Sequence, residues 1–360
     1  MSIAAAVVAH RSQRPALQSP QNHPNDGQRR ILAAAANGVV DFIGAQGGDA
    51  EKIFAASGVD AACLDDPVAP LALSSFVAMM EESSRQTRND NFGLWYGHQF
   101  QPEMQGVLGD VVLAAPTVGS ALANMAEMFP YHQHATDCRF AKENGLLRME
   151  YRILDPSVLH RRQDAELTLG MVLNVCRRGL GSHWVPERVE FEHLRPEGWQ
   201  AHERAFGAEV SFGHRTNALI FRDEGMDKRM PGTDLDRFQA ARRHMLDVAG
   251  DARCGAPSFV EQVMSEVRAC LQDGPPHIEA VAEALRLPRW TLQRRLAEAG
   301  LSFSDVVEKV RRDLAGLYVG QPHLPLSEIA LALGYSELSA FTRAFTRWHG
   351  QAPAKSRPRA

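Results

Sequence analysis

Roughly the last hundred residues carry one apolar pattern twice. Ile278, Val281, Ala282 and Leu285 fall at i, i+3, i+4 and i+7, followed by Leu292, Leu296 and Ala299. Leu326, Ile329, Ala330 and Leu333 repeat that spacing, followed by Phe341, Phe345 and Trp348. The leading group recurs after 48 residues and the trailing group after 49. Residues three and four apart share a helix face, so each copy predicts a short helix, a tight connection and a second helix crossing it. That is the outline of a helix-turn-helix, and two on one chain point to a protein that reads a nucleic-acid groove.

The second helix of each copy sharpens this expectation. Opposite the apolar face of the first lie Trp290, Gln293, Arg294 and Ala297; 49 residues on lie Ser339, Thr342, Arg343 and Thr346. Neither outward face carries an acidic side chain, and each has an arginine at the same phase. A guanidinium there suits a bidentate contact with guanine or a phosphate. One such arginine is ordinarily just a solvated helix face, but the same face built twice favours groove readout.

The segments VAEALRLPRWTLQRRLAEAGLSF (281–303) and LSEIALALGYSELSAFTRAFTRWHGQAPAKSR (326–357) resemble the DNA-binding domain of the AraC/XylS family of bacterial transcription regulators. The resemblance implies two helix-turn-helix units joined by a long helix, both recognition helices entering successive major-groove segments. Position by position, it makes Trp290, Gln293 and Arg294, then Ser339, Thr342 and Arg343, the base-reading residues. It also implies promoter DNA and RNA polymerase as partners. The chain departs from the family pattern at Pro288, where a Ser or Thr cap is usual, and the first turn (Leu285-Arg286-Leu287) lacks the glycine that the second has at Gly334.

Between the units, Phe303, Val306, Val307, Val310, Leu314, Leu317 and Tyr318 form a stripe at helical spacing. Ser302 with Asp305 predicts the cap that opens this helix, and Ser258 with Glu261 a capping box ahead of Val260, Val263, Met264 and Val267. Gly350 and Pro353 stop the last helix, and Lys355, Arg357 and Arg359 form a loose basic tail.

A chain of 360 residues exceeds what one core usually organises. The expected division is a disordered stretch over 1–27, an effector domain over 28–232, a helix and linker over 233–256 and a DNA-binding domain over 257–360. Residues 257–360 hold 13 Lys+Arg against 11 Asp+Glu, and residues 1–256 hold 26 against 32. This acidic balance excludes nonspecific DNA packaging, so the basic groups must be placed rather than abundant. The five cysteines are scattered, which argues against a zinc cluster or disulfide framework and fits a reducing cytoplasm. No GxSxG, HExxH, GxxxxGK[ST] or GxGxxG occurs, so no enzyme is expected. No cofactor or metal is expected either. The apolar run from Ile3 to Ala9 is too short to span a membrane.

The N-terminal domain reads as α+β. Helical patterns cover 29–45, 49–57, 71–87, 105–115, 117–129 and 161–180, with Thr117 as a cap. Strand patterns cover 136–142 and 145–153, joined at Glu143-Asn144-Gly145, then 187–193, 209–212 and 218–222. Helices on a small antiparallel sheet are expected. NFGLWYG (91–97), GVLGDVVLAAPTVGSALANM (106–125), PERVEFEH (186–193) and FGAEVSFGHRTNALIF (206–221) resemble the arabinose-binding-type effector domain of the ornithine-regulator branch.

A pocket between sheet and helices would suit a small effector, an amine or amino-acid-like metabolite that pairs with a carboxylate and stacks on an aromatic ring. Tyr131, His132, His134, Asp164, Glu166 and Trp184 are the candidate lining. Against each stands an ordinary structural role: the histidines on the surface, the carboxylates complementing a helix N-terminus. A homodimer is expected, through the N-terminal domain or the stripe Leu235, Phe238, Ala241, Met245 and Val248; packing of that stripe on its own domain is an equal alternative. The expected whole is a cytoplasmic, effector-responsive activator, with a repressor of the same architecture or a bifunctional enzyme-regulator as the alternatives.

Overall fold

The computed structural model describes residues 29–249 and 255–357. The segment 1–27, most of the linker 250–256, Cys254 and Arg359 lie outside them.

The chain enters on β1 (Arg30–Leu32), which pairs antiparallel with β2 (Pro70–Ala72). A helix is predicted over 29–45, but Ala33–Ala36 form a tight 3-10 turn with all four alanines buried. Gly38, at φ 78°, then redirects the backbone into α1 (Val39–Ala45). There follow α2 (Ala50–Ser57), α3 (Leu73–Thr87), α4 (Phe92–Gln99), α5 (Val107–Ala114) and α6 (Val118–His132). The Thr117 side chain caps α6 as expected, accepting from Ser120 N–H. Helices α4 and α8 (Gln200–Phe206) have no counterpart in the sequence reading.

The main sheet has five strands in the order β3-β4-β7-β5-β6. These are β3 (Thr136–Glu143), β4 (Leu146–Ile153), β5 (Arg188–Phe191), β6 (Glu209–Phe212) and β7 (Asn217–Phe221). Asn144 and Gly145, at φ 51° and 83°, make the two-residue hairpin turn between β3 and β4. The sheet is not wholly antiparallel: β5 and β6 run parallel. Parallel neighbours need a crossover, and α8 supplies it. The long α7 (Arg162–Leu180) packs against α4 and the sheet.

The last N-terminal helix, α9 (Leu235–Ala249), lies on α5 and α6. Ala241 and Met245 are buried in the N-terminal core, with Phe238 and Val248 packed at its edge and only Leu235 left largely exposed. The stripe 235–248 thus belongs to its own domain, and α9 is part of that domain rather than of a linker.

The C-terminal domain has a core of its own, built from α10 (Phe259–Cys270), α11 (Ile278–Ala284), α12 (Arg289–Glu298), α13 (Phe303–Val319), α14 (Leu326–Ala332), α15 (Leu338–His349) and α16 (Pro353–Ser356). Both capping boxes form, Ser258 with Glu261 and Ser302 with Asp305. Pro288 sits at the N-cap of α12, and the helix begins at Arg289. In the first turn Arg286 adopts φ 55°, the conformation that Gly334 takes at φ 69° in the second. The missing glycine is therefore replaced by a strained arginine in the same left-handed geometry. Among the described residues no helix is long and apolar enough to cross a membrane.

Candidate nucleic-acid interface and effector site

Helices α12 and α15 each bury one side and present the other. Leu292 and Leu296 anchor α12, and Phe341 and Phe345 anchor α15, all four in the core. Outward, Trp290 is 66% exposed, and Gln293, Arg294, Ser339 and Arg343 are exposed, with Thr342 partly so. The faces are less free of acid than the helix projection implies. Arg294 is held by Glu298 at 3.2 Å, and the Ser339 hydroxyl donates to Glu337 at 3.1 Å. Both contacts are exposed and weak enough for phosphate or guanine to displace. Behind α15, Arg311 donates to the carbonyls of Leu333 and Gly334 and stacks over Tyr335, fixing the second turn.

The N-terminal domain grips α10 through ion pairs that sequence reasoning did not find. Arg29 bridges Asp155 at 2.8 Å and Glu261 at 2.6 Å. Arg152 pairs with Glu266, and Arg215 with Asp273. At the centre Glu192, buried, lies between Arg161 at 3.4 Å and Arg268 at 3.8 Å. Burial pushes the Glu192 carboxyl up, but Arg161, Arg268 and Arg152 outweigh it and hold the group below the usual carboxylate range. Gln272 donates to the Glu192 carbonyl, and Leu194, half-buried, packs against the C-terminal core.

The six sequence-picked effector residues do not converge. Tyr131 packs at the edge of the N-terminal core. His132 is buried edge-on to Phe129, and burial pushes its pKa down to about 4. His134 is buried against the linker, where a Cβ on Gly255 would lie 2.1 Å from its Nδ1. Asp164 is buried and accepts the Tyr151 hydroxyl at 2.5 Å; burial pushes it up to about 7. Glu166 is fully buried, yet Arg162 and His202 hold it below the usual carboxylate range. Trp184 stacks edge-on against Phe221 past the far end of α7, more than about 20 Å along the helix from Glu166. The histidines are thus core residues rather than surface ones. The carboxylates pair with buried neighbours instead of opening onto a pocket.

A cleft does open beside them. It spans about 720 Å³ between α3 and the segment 157–160, lined by Val77, Glu81, Arg85, Arg88, Asp90 and His160 among others. Burial pushes the Glu81 carboxyl up to about 7, opposed by the Gln163 N–H and Arg162. Arg162 reaches from Asp90, at 2.9 Å, to Glu166, at 2.7 Å.

Residues 47–230 match the family model described as the arabinose-binding domain of AraC transcription regulators, N-terminal, and residues 281–359 match a helix-turn-helix domain. The chain belongs to the AraC family and is a DNA-binding transcription regulator. It is 29% identical over 299 residues to the HTH-type transcriptional regulator VirS of Mycobacterium tuberculosis, covering 80% of this chain and 84% of that one. It is 25% identical over 332 residues to the ornithine utilization regulator of Pseudomonas aeruginosa, covering 91% and 96%. Among solved structures, the transcriptional regulator CdpR of Pseudomonas aeruginosa aligns with 88% of this chain and 97% of its own, at 23% identity and a TM-score of 0.43.

Proposed function

We propose that this regulator reads promoter DNA with two helix-turn-helix units, α11–α12 and α14–α15, joined by α13 and seated in successive major-groove segments. The observation that carries the reading is the pair of outward faces: Trp290, Gln293 and Arg294 on one, Ser339, Thr342 and Arg343 on the other. Successive groove segments lie roughly 34 Å apart on one duplex face, so one chain spans a half-site and a homodimer doubles it. Its action is activation, through contact with RNA polymerase from the DNA-bound state.

Anisotropy titrations on operator DNA test this. Arg294→Ala and Arg343→Ala should each cost about 1–3 kcal/mol and relax preference at one or two base pairs. Lys355→Ala should weaken binding alike on all sequences and lower the salt slope by about one. Parental affinity and footprint in both arginine variants, at equal salt, would remove the groove assignment.

The effector site in this reading is the cleft between α3 and 157–160, and the ligand is a small cation or basic amino acid. Glu81 and Asp90 supply carboxylates for its ammonium group, and Arg85 and Arg88 sit at the rim for a carboxylate. The ornithine regulator's name fits that class. A pH signature follows. The folded Glu81 pKa, about 7, lies above its ordinary 4.5, so its contribution to stability is present below pH 4.5 and lost as pH rises through 7. A cation in the cleft offsets that loss. A short aliphatic diamine should therefore raise Tm more at pH 8 than at pH 6, and Glu81→Gln should erase the difference. Equal shifts at both pH values would place the cation elsewhere.

A further inference from the structure

Three elements converge on a buried point that neither DNA reading nor the cleft uses. Glu166 on α7, His193 just after β5 and His202 on α8 each bring a ligand-type atom there, all within 4.8 Å of one another. His202 Nε2 lies 2.7 Å and His193 Nε2 3.5 Å from Glu166 Oε1. Glu166 and His202 are sealed off, whereas the His193 side chain keeps 12% of its surface as an opening.

The ring orientations restrict what this cluster can hold. His193 Nδ1 faces the Leu194 carbonyl at 3.0 Å, and His202 Nδ1 faces the Trp199 carbonyl at 3.1 Å. A carbonyl only accepts, so each Nδ1 carries the hydrogen and each neutral ring turns a lone pair at Nε2 toward the carboxylate. The carboxylate also only accepts. One added proton would serve His202 alone, leaving His193 Nε2 and Glu166 Oε2 without a partner, as they stand here. Buried polar atoms ordinarily find partners. A divalent cation satisfies all three lone pairs at once, and imidazoles anchored by Nδ1–H to backbone carbonyls are the usual outer shell of a metal site.

We propose that Glu166, His193 and His202 form a binding site for a divalent transition-metal ion, zinc or ferrous iron, with solvent completing its coordination. Two imidazoles and one carboxylate select such ions over calcium or magnesium, which take oxygen ligands. Arg162 also reaches Glu166 Oε1, at 2.7 Å, and shares its charge with Asp90. The site would also act on the domain junction. Glu192, before His193, accepts from Gln272 of the DNA-binding domain, Leu194 after it packs against that domain's core, and the Arg195 carbonyl meets His323. Fixing the His193 ring fixes the segment on which the DNA-binding domain is docked.

Titration of the full-length, chelator-stripped chain with Co²⁺ tests the site. One equivalent per chain should bind with the visible absorption of a four- or five-coordinate ion, and Zn²⁺ should displace it. His193→Asn, at the opening, should lose that absorption while keeping the parental circular dichroism. The weak spectrum of hydrated Co²⁺ alone in the parent would overturn the proposal. So would a band of equal strength in both His193→Asn and Glu166→Gln, which would put the ion elsewhere. Zn²⁺ should also slow hydrogen exchange at residues 192–195 several-fold, and unchanged exchange there would overturn the coupling to the junction.

Discussion

Gly97→Val is expected to destabilise the protein by about 3 kcal/mol, the upper end of what overpacking costs. Helices α4 and α7 cross with their backbones in contact, and glycines on both sides make that possible. A Cβ at Gly97 would lie 2.6 Å from the Leu167 carbonyl oxygen, one at Gly93 2.1 Å from that of Gln163, and one at Gly170 2.6 Å from the Gly97 carbonyl carbon. In each case the obstacle is backbone, which cannot rotate away as a side-chain end can. The helices must separate, and Phe92, Leu94 and Tyr96, all buried, lose their packing with them. A domain of ordinary stability holds only about 5–15 kcal/mol, so the denaturation midpoint should fall visibly. Gly44→Ala is the matched control. It lies in α1, where a Cβ meets nothing within 4 Å, and should gain up to about 1 kcal/mol from helix propensity. If both variants unfold at the parental denaturant concentration, the close crossing does not exist.

The same crossing shows where the sequence is legible and where it is not. The DNA-binding half is readable because its information is local: apolar spacing, caps and turns all act within a few residues, and Ser258 and Ser302 cap as their types predict. Helix α4 is not readable, because it is short, mostly buried and shows no amphipathic period. Its two glycines, Gly93 and Gly97, are contact points with the α7 backbone. Helix α8 is short, and the parallel pairing of β5 with β6 rests on a crossover that no local pattern announces. The outward arginines of α12 and α15 were legible for the same local reason. Glu166 was singled out, but its meeting with His193 and His202 was not legible, because it depends on α7, β5 and α8 coming together, and periodicity says nothing about that. The domain junction is more extreme, since Arg29 and Glu261 stand 232 residues apart and Arg152 and Glu266 stand 114 apart. Charge counts gave the acidic surplus of the N-terminal half but not that its Arg29, Arg152 and Arg215 meet carboxylates of the DNA-binding domain.

Glu192→Gln tests that docking, with an expected loss of about 3 kcal/mol, the lower end of the cost of breaking a buried ion pair. The substitution keeps the side-chain shape and removes one charge from a site where Arg161, Arg268 and Arg152 converge. Arg161 has the most to lose. It is buried, its other partner, the Ile153 carbonyl, is neutral, and burial already pushes its pKa down to about 10. Arg152 keeps Glu266 and Asp137. Arg268 belongs to α10, so the lost attraction acts between the domains as well as within one. Equilibrium unfolding should then show a lower midpoint, and the two domains should begin to unfold separately, with the N-terminal transition appearing first. A Glu192→Asp control keeps the charge but shortens the reach, and should fall between the variant and the parent. Rising salt should narrow the gap only slightly, because the site is buried and poorly screened. A Glu192→Gln protein with the parental midpoint and a single transition would mean that the arginines are held without Glu192, and the junction would need another account.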